Sequence, residues 1–116
     1  YPHTNDAVLA LALMIDDVDV DNGPTLVIPG SHRPRRVFDH HRDGVFVGAM
    51  DPRRGEVDFR RAVPITGTAG SVYVFDAFLV HGAARNNSSR VRRNCFYEFM
   101  AADAWPLDGV LGDDLK

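Results

Sequence analysis

His81 and Arg92 are the residues whose types and spacing suit a chemical site. His81 ends one β-rich run, and Arg92 stands eleven positions later at the start of the next. A neutral imidazole held at a strand end can bind iron or another transition metal. A planar guanidinium grips a carboxylate through two parallel hydrogen bonds, provided its fork is rigidly placed. If the two side chains project from adjacent antiparallel strands into one cavity, a dicarboxylate can bind the metal at one end and the arginine at the other. Each residue also has a plainer reading. A single histidine is more often structural or merely exposed, and Arg90, Arg92 and Arg93 together would make a charged strand edge that discourages aggregation.

The elements that must position this pair read as strands. Residues 7–15 are apolar on both alternating faces, which suits a strand buried between two layers. The acidic stretch 16–21 reads as a solvated turn rather than a calcium loop, because it lacks the Asp-x-Asp-x-Asp-Gly order and the terminal Glu. Asn22-Gly23 then accepts positive φ and predicts a tight reversal between strands. A second strand covers residues 25–28 and stops at Pro29-Gly30-Ser31-His32. Residues 33–61 lose periodicity apart from Val45-Phe46-Val47, as a long loop that contacts substrate would. Strand character returns at 62–65 and at 71–75, with Gly67 and Gly70 bracketing the turn between them. Along the last strand, alternation puts Arg92, Asn94 and Phe96 on one face and Arg93, Cys95 and Tyr97 on the other. Short strands separated by Gly, Pro and Asn predict an all-β sandwich or barrel.

Composition narrows the function. With 13 Lys and Arg against 16 Asp and Glu, the chain of 116 residues has a net charge of −3 and no basic footprint for nucleic acid. Its longest apolar run is too short to cross a bilayer, so no membrane partner is expected. The single cysteine, Cys95, excludes an internal disulfide and fits a reducing, cytoplasmic setting. It reads as a small core residue, since nothing nearby forms a Cys-His pair. The first residues lack the basic and apolar regions of a targeting signal, and the chain starts without Met, as a piece cut from something longer would.

Three groups of residues carry a resemblance. Asn22-Gly23-Pro24-Thr25-Leu26-Val27-Ile28-Pro29-Gly30-Ser31-His32, the turn Ala69-Gly70-Ser71-Val72, and His81-Gly82 followed by Asn86, Ser88 and Arg92 resemble the phytanoyl-CoA dioxygenase family of iron(II)- and 2-oxoglutarate-dependent oxygenases. The resemblance covers nearly the whole chain and is weakest over residues 33–61. It implies an all-β double-stranded β-helix, a jelly-roll or cupin-like barrel, incomplete here at its N-terminus. The chain is then one partial oxygenase domain, residues 1–116, with core strands about 7–32 and 62–100, a long loop 33–61 and a C-terminal tail 101–116.

By the same resemblance His81 is the distal iron ligand and Arg92 binds the far carboxylate of 2-oxoglutarate; no catalytic residue is implied beyond the metal site. Fe(II) and 2-oxoglutarate are the implied cofactor and cosubstrate, with dioxygen and a small organic molecule as reactants. The expected reaction is hydroxylation of an unactivated C–H bond with release of succinate and CO2. Two positions depart from the family pattern. Position 83, often a serine that supports the 2-oxoglutarate carboxylate, is Ala83. The His-x-Asp pair is absent, since His3-Thr4-Asn5-Asp6 has its acid one place too far along, and the two remaining ligands are expected before Tyr1. Rival readings are a non-catalytic jelly-roll module that binds an anionic or sugar ligand, and an inactive fragment.

Smaller expectations complete the reading. His32 belongs to a structural turn, and His40-His41 form a solvated pair or line a substrate pocket. Asn86 and Ser88 satisfy backbone groups between strands. Asp76 orients a neighbour or faces water. Trp105 packs over the barrel end, and the tail to Lys116 is loosely held.

Overall fold

The computed structural model describes residues 3–105, so the expectation for the tail lies largely outside the described residues. It is an antiparallel all-β structure. Strand β1 (Val8–Met14) lies at the centre of one sheet, between β6 (Val72–Asp76) and β8 (Asn94–Met100). Strand β2 (Thr25–Val27) lies at the centre of a second, between β5 (Val63–Ile65) and β7 (His81–Ala83). The chain therefore passes repeatedly from one sheet to the other, as a jelly roll does. The sheets face each other: the Thr25 hydroxyl lies 2.8 Å from that of Tyr73, and the Phe75 and His81 rings are 4.9 Å apart between centroids. Among the described residues no helix is long and apolar enough to cross a membrane.

The sequence of β1, Val-Leu-Ala-Leu-Ala-Leu-Met, explains both its burial and the space beneath it. Val8, Ala10, Ala12 and Met14 form the buried inner face, opposite Phe75 and Tyr73 on one side and Glu98, Phe96 and Asn94 on the other. Facing sheets lie about 10 Å apart. Ala10, with its short side chain, lines a cavity between the sheets, whereas Ala12 is fully buried. The leucines point the other way, and this departs from the expected burial on both faces: Leu9 is exposed, with Leu11 and Leu13 half-buried. β8 continues that outer surface with Tyr97 and Phe99, both about half exposed. Cys95 follows the same face and is exposed rather than in the core. Trp105 is likewise 64% exposed, its backbone rather than its ring anchoring the chain end to Thr4.

The connection from β1 to β2 is also more than a solvated turn. Asp16 pairs with Arg93, Asp17 accepts the Ala69 N–H, and Asp19 accepts the N–H groups of Asp21 and Asn22 while pairing with Arg90. Asn22 is 1% exposed and bonds the backbone at Asp17 and Asp19. Asn22-Gly23 does not close a hairpin, because β1 and β2 belong to different sheets. Gly23 instead lets the crossing chain pass close to another strand end: its φ is +82°, and a Cβ there would lie 3.1 Å from the Ala84 carbonyl oxygen and 3.2 Å from the Asn86 nitrogen.

The excursion expected over residues 33–61 is present. It contains only the two-residue ladder β3 (His41–Arg42) with β4 (Val45–Phe46) and two single 3-10 turns, Pro52–Arg54 and Phe59–Arg61. Each turn begins at an aspartate, Asp51 or Asp58, whose side chain accepts a backbone N–H and pairs with an arginine two residues on.

Candidate active site

His81 opens strand β7, and the segment before it determines how its ring is held. The run that ends at Phe75 in sequence terms breaks at Asp76, whose carboxylate accepts the Phe78 N–H while its carbonyl accepts that of Leu79. This turn carries the chain across to the other sheet. Val80 is then fastened to the Pro-Gly-Ser segment, receiving a bond from Ile28 at its carbonyl and donating its N–H to the Ser31 hydroxyl. The Leu79 carbonyl lies 2.8 Å from His81 Nδ1. A carbonyl can only accept, so Nδ1 carries the proton and Nε2 keeps its lone pair, the tautomer a metal requires.

Arg92 lies just before β8 in the opposite sheet. The expected adjacency of two neighbouring strands is therefore replaced by a pair that faces across the gap between sheets. His81 and Arg92 both line one cavity of about 320 Å³. Arg93 is drawn to Asp16, at 2.7 Å, and Arg90 to Asp19. Arg92 has no ion-pair partner among the described residues, so its guanidinium is available to an anion in the cavity.

A larger cavity of about 420 Å³ adjoins the first, lined by Val37, Phe38, His40 and Met50 from the long loop. His3, Val8, Ala77 and His81 line both. Burial lowers the pKa of His3 and of His40 below the ordinary imidazole value, which favours the neutral rings at neutral pH. His41 stacks edge-on against Phe46 and pairs with Asp39. His32 Nδ1 is buried without a hydrogen-bond partner among the described residues, and His32 belongs to no group of three metal-ligating residues there.

Thr25, Glu98 and His3 also line the smaller cavity, and none was a predicted site residue. Strand alternation with Arg92 would have placed Glu98 on the inner face. The position of Thr25 depended on a register with β7 that the sequence does not display. Asn86 and Ser88 do serve the turn, Asn86 accepting from the Ser88 N–H and hydroxyl and donating to the Arg90 carbonyl.

The guanidinium of Arg92, without an ion-pair partner among the described residues, fits the far end of a dicarboxylate; it shares the hollow with His81, Thr25 and Glu98. The site fits one bond to a metal ion, through His81 Nε2. No group of three His, Cys, Asp or Glu able to hold a metal occurs among the described residues, so a complete metal centre needs ligands from elsewhere.

Comparison with known proteins agrees with this architecture. The sequence profile described as phytanoyl-CoA dioxygenase (PhyH) matches residues 1–94. The chain is 36% identical over 120 residues to a protein of Stutzerimonas stutzeri named probable alpha-ketoglutarate-dependent hypophosphite dioxygenase, an alignment covering 94% of this chain and 39% of that protein. It is 29% identical over 120 residues to the ectoine dioxygenase of Halomonas elongata, covering 87% and 35%. An uncharacterized protein of Mycobacterium tuberculosis shares 34% over 93 residues, covering 80% and 29%. The chain thus spans about two fifths or less of the length of these relatives. With a family match over residues 1–94 of its 116, this chain belongs to the phytanoyl-CoA dioxygenase family.

Proposed function

We propose that the protein containing this chain is an iron(II)- and 2-oxoglutarate-dependent dioxygenase that hydroxylates a C–H bond of a small organic molecule. The substrate, dioxygen and 2-oxoglutarate give the hydroxylated product, succinate and CO2. The observation that carries this reading is the opening of His81 and Arg92 onto one cavity from opposite sheets.

In this reading His81 supplies one metal bond through Nε2, and Arg92 holds the distal carboxylate of 2-oxoglutarate. The described residues hold no group of three that could complete the metal centre, so the remaining ligands are supplied from beyond them. The ferrous ion, when bound, supplies the activation of dioxygen that imidazole and guanidinium cannot. The chain's own part is placement. The Leu79 carbonyl fixes the His81 tautomer, and Arg92 sets how far the diacid reaches towards it. The larger cavity, which shares His81 with the smaller one, takes the substrate, and its volume of about 420 Å³ suits a small molecule.

The test is succinate formation and oxygen uptake by the full-length protein supplied with iron(II) and 2-oxoglutarate. Turnover that a chelator stops and iron(II) restores supports the reading. Absence of both coupled and uncoupled turnover sinks it. That no group of three residues able to hold a metal occurs among the described residues favours a second reading, a jelly-roll module that grips an anionic or sugar ligand without redox chemistry. That module would bind its ligand equally well with and without metal.

A further inference from the structure

The geometry points to a small organic anion as the occupant of the larger cavity, with an apolar body towards His81 and its charged end on Arg36. The inference deepens the proposed function and rests on that cavity being the substrate's. Most residues lining this hollow of about 420 Å³ are apolar, among them Val37, Phe38 and Met50 from the long loop and Phe78, Leu79 and Val80 from the turn before β7. Such a wall takes hydrocarbon and leaves orientation to a few polar groups.

Arg36 is the only arginine or lysine of that lining, and Asp6, its only carboxylate, is already held by Arg35 at 2.8 Å. The Arg36 guanidinium carbon lies 4.7 Å from the centroid of the Phe38 ring, so the cation is supported against an aromatic face. Among the described residues Glu56 is its one hydrogen-bond partner, through a single contact of 2.7 Å between Nη2 and Oε1. The rest of the N–H fork has no protein acceptor, and a carboxylate or similar oxyanion can take two parallel bonds from it. With its side chain 49% exposed, Arg36 gains little from pairing with Glu56, so exchanging that carboxylate for a ligand's costs little. The wider field agrees. Residues 33–61 carry eight arginines against five carboxylates in a chain of net charge −3, so the loop is positive while the remainder of the chain is negative. Anions are drawn to the wall that Arg36 occupies.

The probe is octanoate, with octanol and octylamine as its neutral and cationic counterparts of equal chain length. Dissociation constants are measured by calorimetry on the full-length protein loaded with manganese(II) and saturating 2-oxoglutarate, with melting temperature as the control for folding. Octanoate should bind on the order of tenfold to a hundredfold more tightly than octanol, the range for a hydrogen bond to a charged group, and octylamine more weakly than either. Arg36→Met keeps an apolar stem, removes the charge and should erase the preference for octanoate. Glu56→Gln removes the competing carboxylate and should strengthen octanoate binding a few-fold. A merely structural ion pair would behave otherwise, both variants lowering the melting temperature and neither changing the preference.

Failure of octanoate to bind, equal affinities for octanoate and octanol, a preference that survives Arg36→Met, or an octanoate affinity that does not rise in Glu56→Gln overturns the inference. If the preference is present and depends on Arg36, but the full-length protein with iron(II) forms no succinate and takes up no oxygen, the anion site stands and the oxygenase reading fails. If turnover is present and the preference absent, this inference alone fails. Should Arg36→Met fail to fold, Glu56→Gln decides by the direction of its change in octanoate affinity.

Discussion

Asp16 holds Arg93 by both carboxylate oxygens and also accepts its backbone N–H. This grip joins the end of β1 to the start of β8 one residue away from Arg92, so it helps decide which of two consecutive arginines faces the cavity. The guanidinium and N–H bonds hold the Asp16 carboxyl at about 2, well below the usual carboxylate range. Because the folded-state value is depressed, the pair's contribution is complete above the unfolded value near 3.9 and disappears as pH falls through the folded one. Thermal melts between about pH 4 and pH 2 should therefore lose stability more steeply in the parent than in Asp16→Asn. Parallel acid profiles would show that the pair is too well solvated to matter.

The two arginines should respond differently to lysine. Arg92→Lys keeps a charge but loses the planar fork, and the 2-oxoglutarate requirement of the full-length enzyme should rise by at least about tenfold. Arg93→Lys should leave that requirement within a few-fold. A reversed ranking in steady-state titrations would assign the clamp to Arg93.

Arg35 should behave as a staple on the loop that presents His81. Its guanidinium bonds Asp76 at 2.6 Å and Asp6 at 2.8 Å, and lies 4.3 Å above the Phe78 ring, while its own backbone has φ of 51°. Replacement by alanine removes the ties and keeps the unfavourable backbone, whereas glycine removes the ties and relieves it. Arg35→Gly should therefore melt above Arg35→Ala and below the parent. In both variants the ring nitrogens of His81, read by 15N NMR, should lose the single Nδ1-protonated form. An unchanged His81 spectrum would show that the turn holds without Arg35.

Gly23→Ala should destabilise the chain by about 1–3 kcal/mol, the cost of a non-glycine residue in a disfavoured backbone region. The added Cβ also meets the Ala84 carbonyl at 3.1 Å. Denaturant titration would register this as a lower midpoint at unchanged slope. A midpoint equal to that of the parent would mean that the crossing chain yields easily at this point.

Much of this arrangement was legible in the residues, for identifiable reasons. Alternation along β8 placed Arg92, Asn94 and Phe96 together, and Gly67 with Gly70 marked the turn before β6. Adjacent strands were considered because His81 was placed at the end of the β-rich run before Arg92. The signal against this was Asp76, whose side chain caps a short turn, as Asp commonly does. The supposed hairpin at Asn22-Gly23 had the right backbone and the wrong partner, since local φ preference cannot say which sheet the next strand joins. Thr25 escaped notice because its place in the cavity depends on a register with Ala83 that the sequence does not display. The exposure of Cys95 and Trp105 could not be read from residue type, which reports a tendency to be covered but not whether a covering element is present.

His81, together with His3, Val8 and Ala77, forms part of the wall of both hollows, so these residues make a shared partition. An occupant on one side therefore restricts what can fit on the other, and the two compartments should not fill independently. A synthetic molecule joining a diacid to a compact apolar group by a linker that skirts the ring would engage both chambers at once. Such a tether would bind more tightly than either half through raised effective concentration, which makes the partition a natural anchor for selective inhibitors.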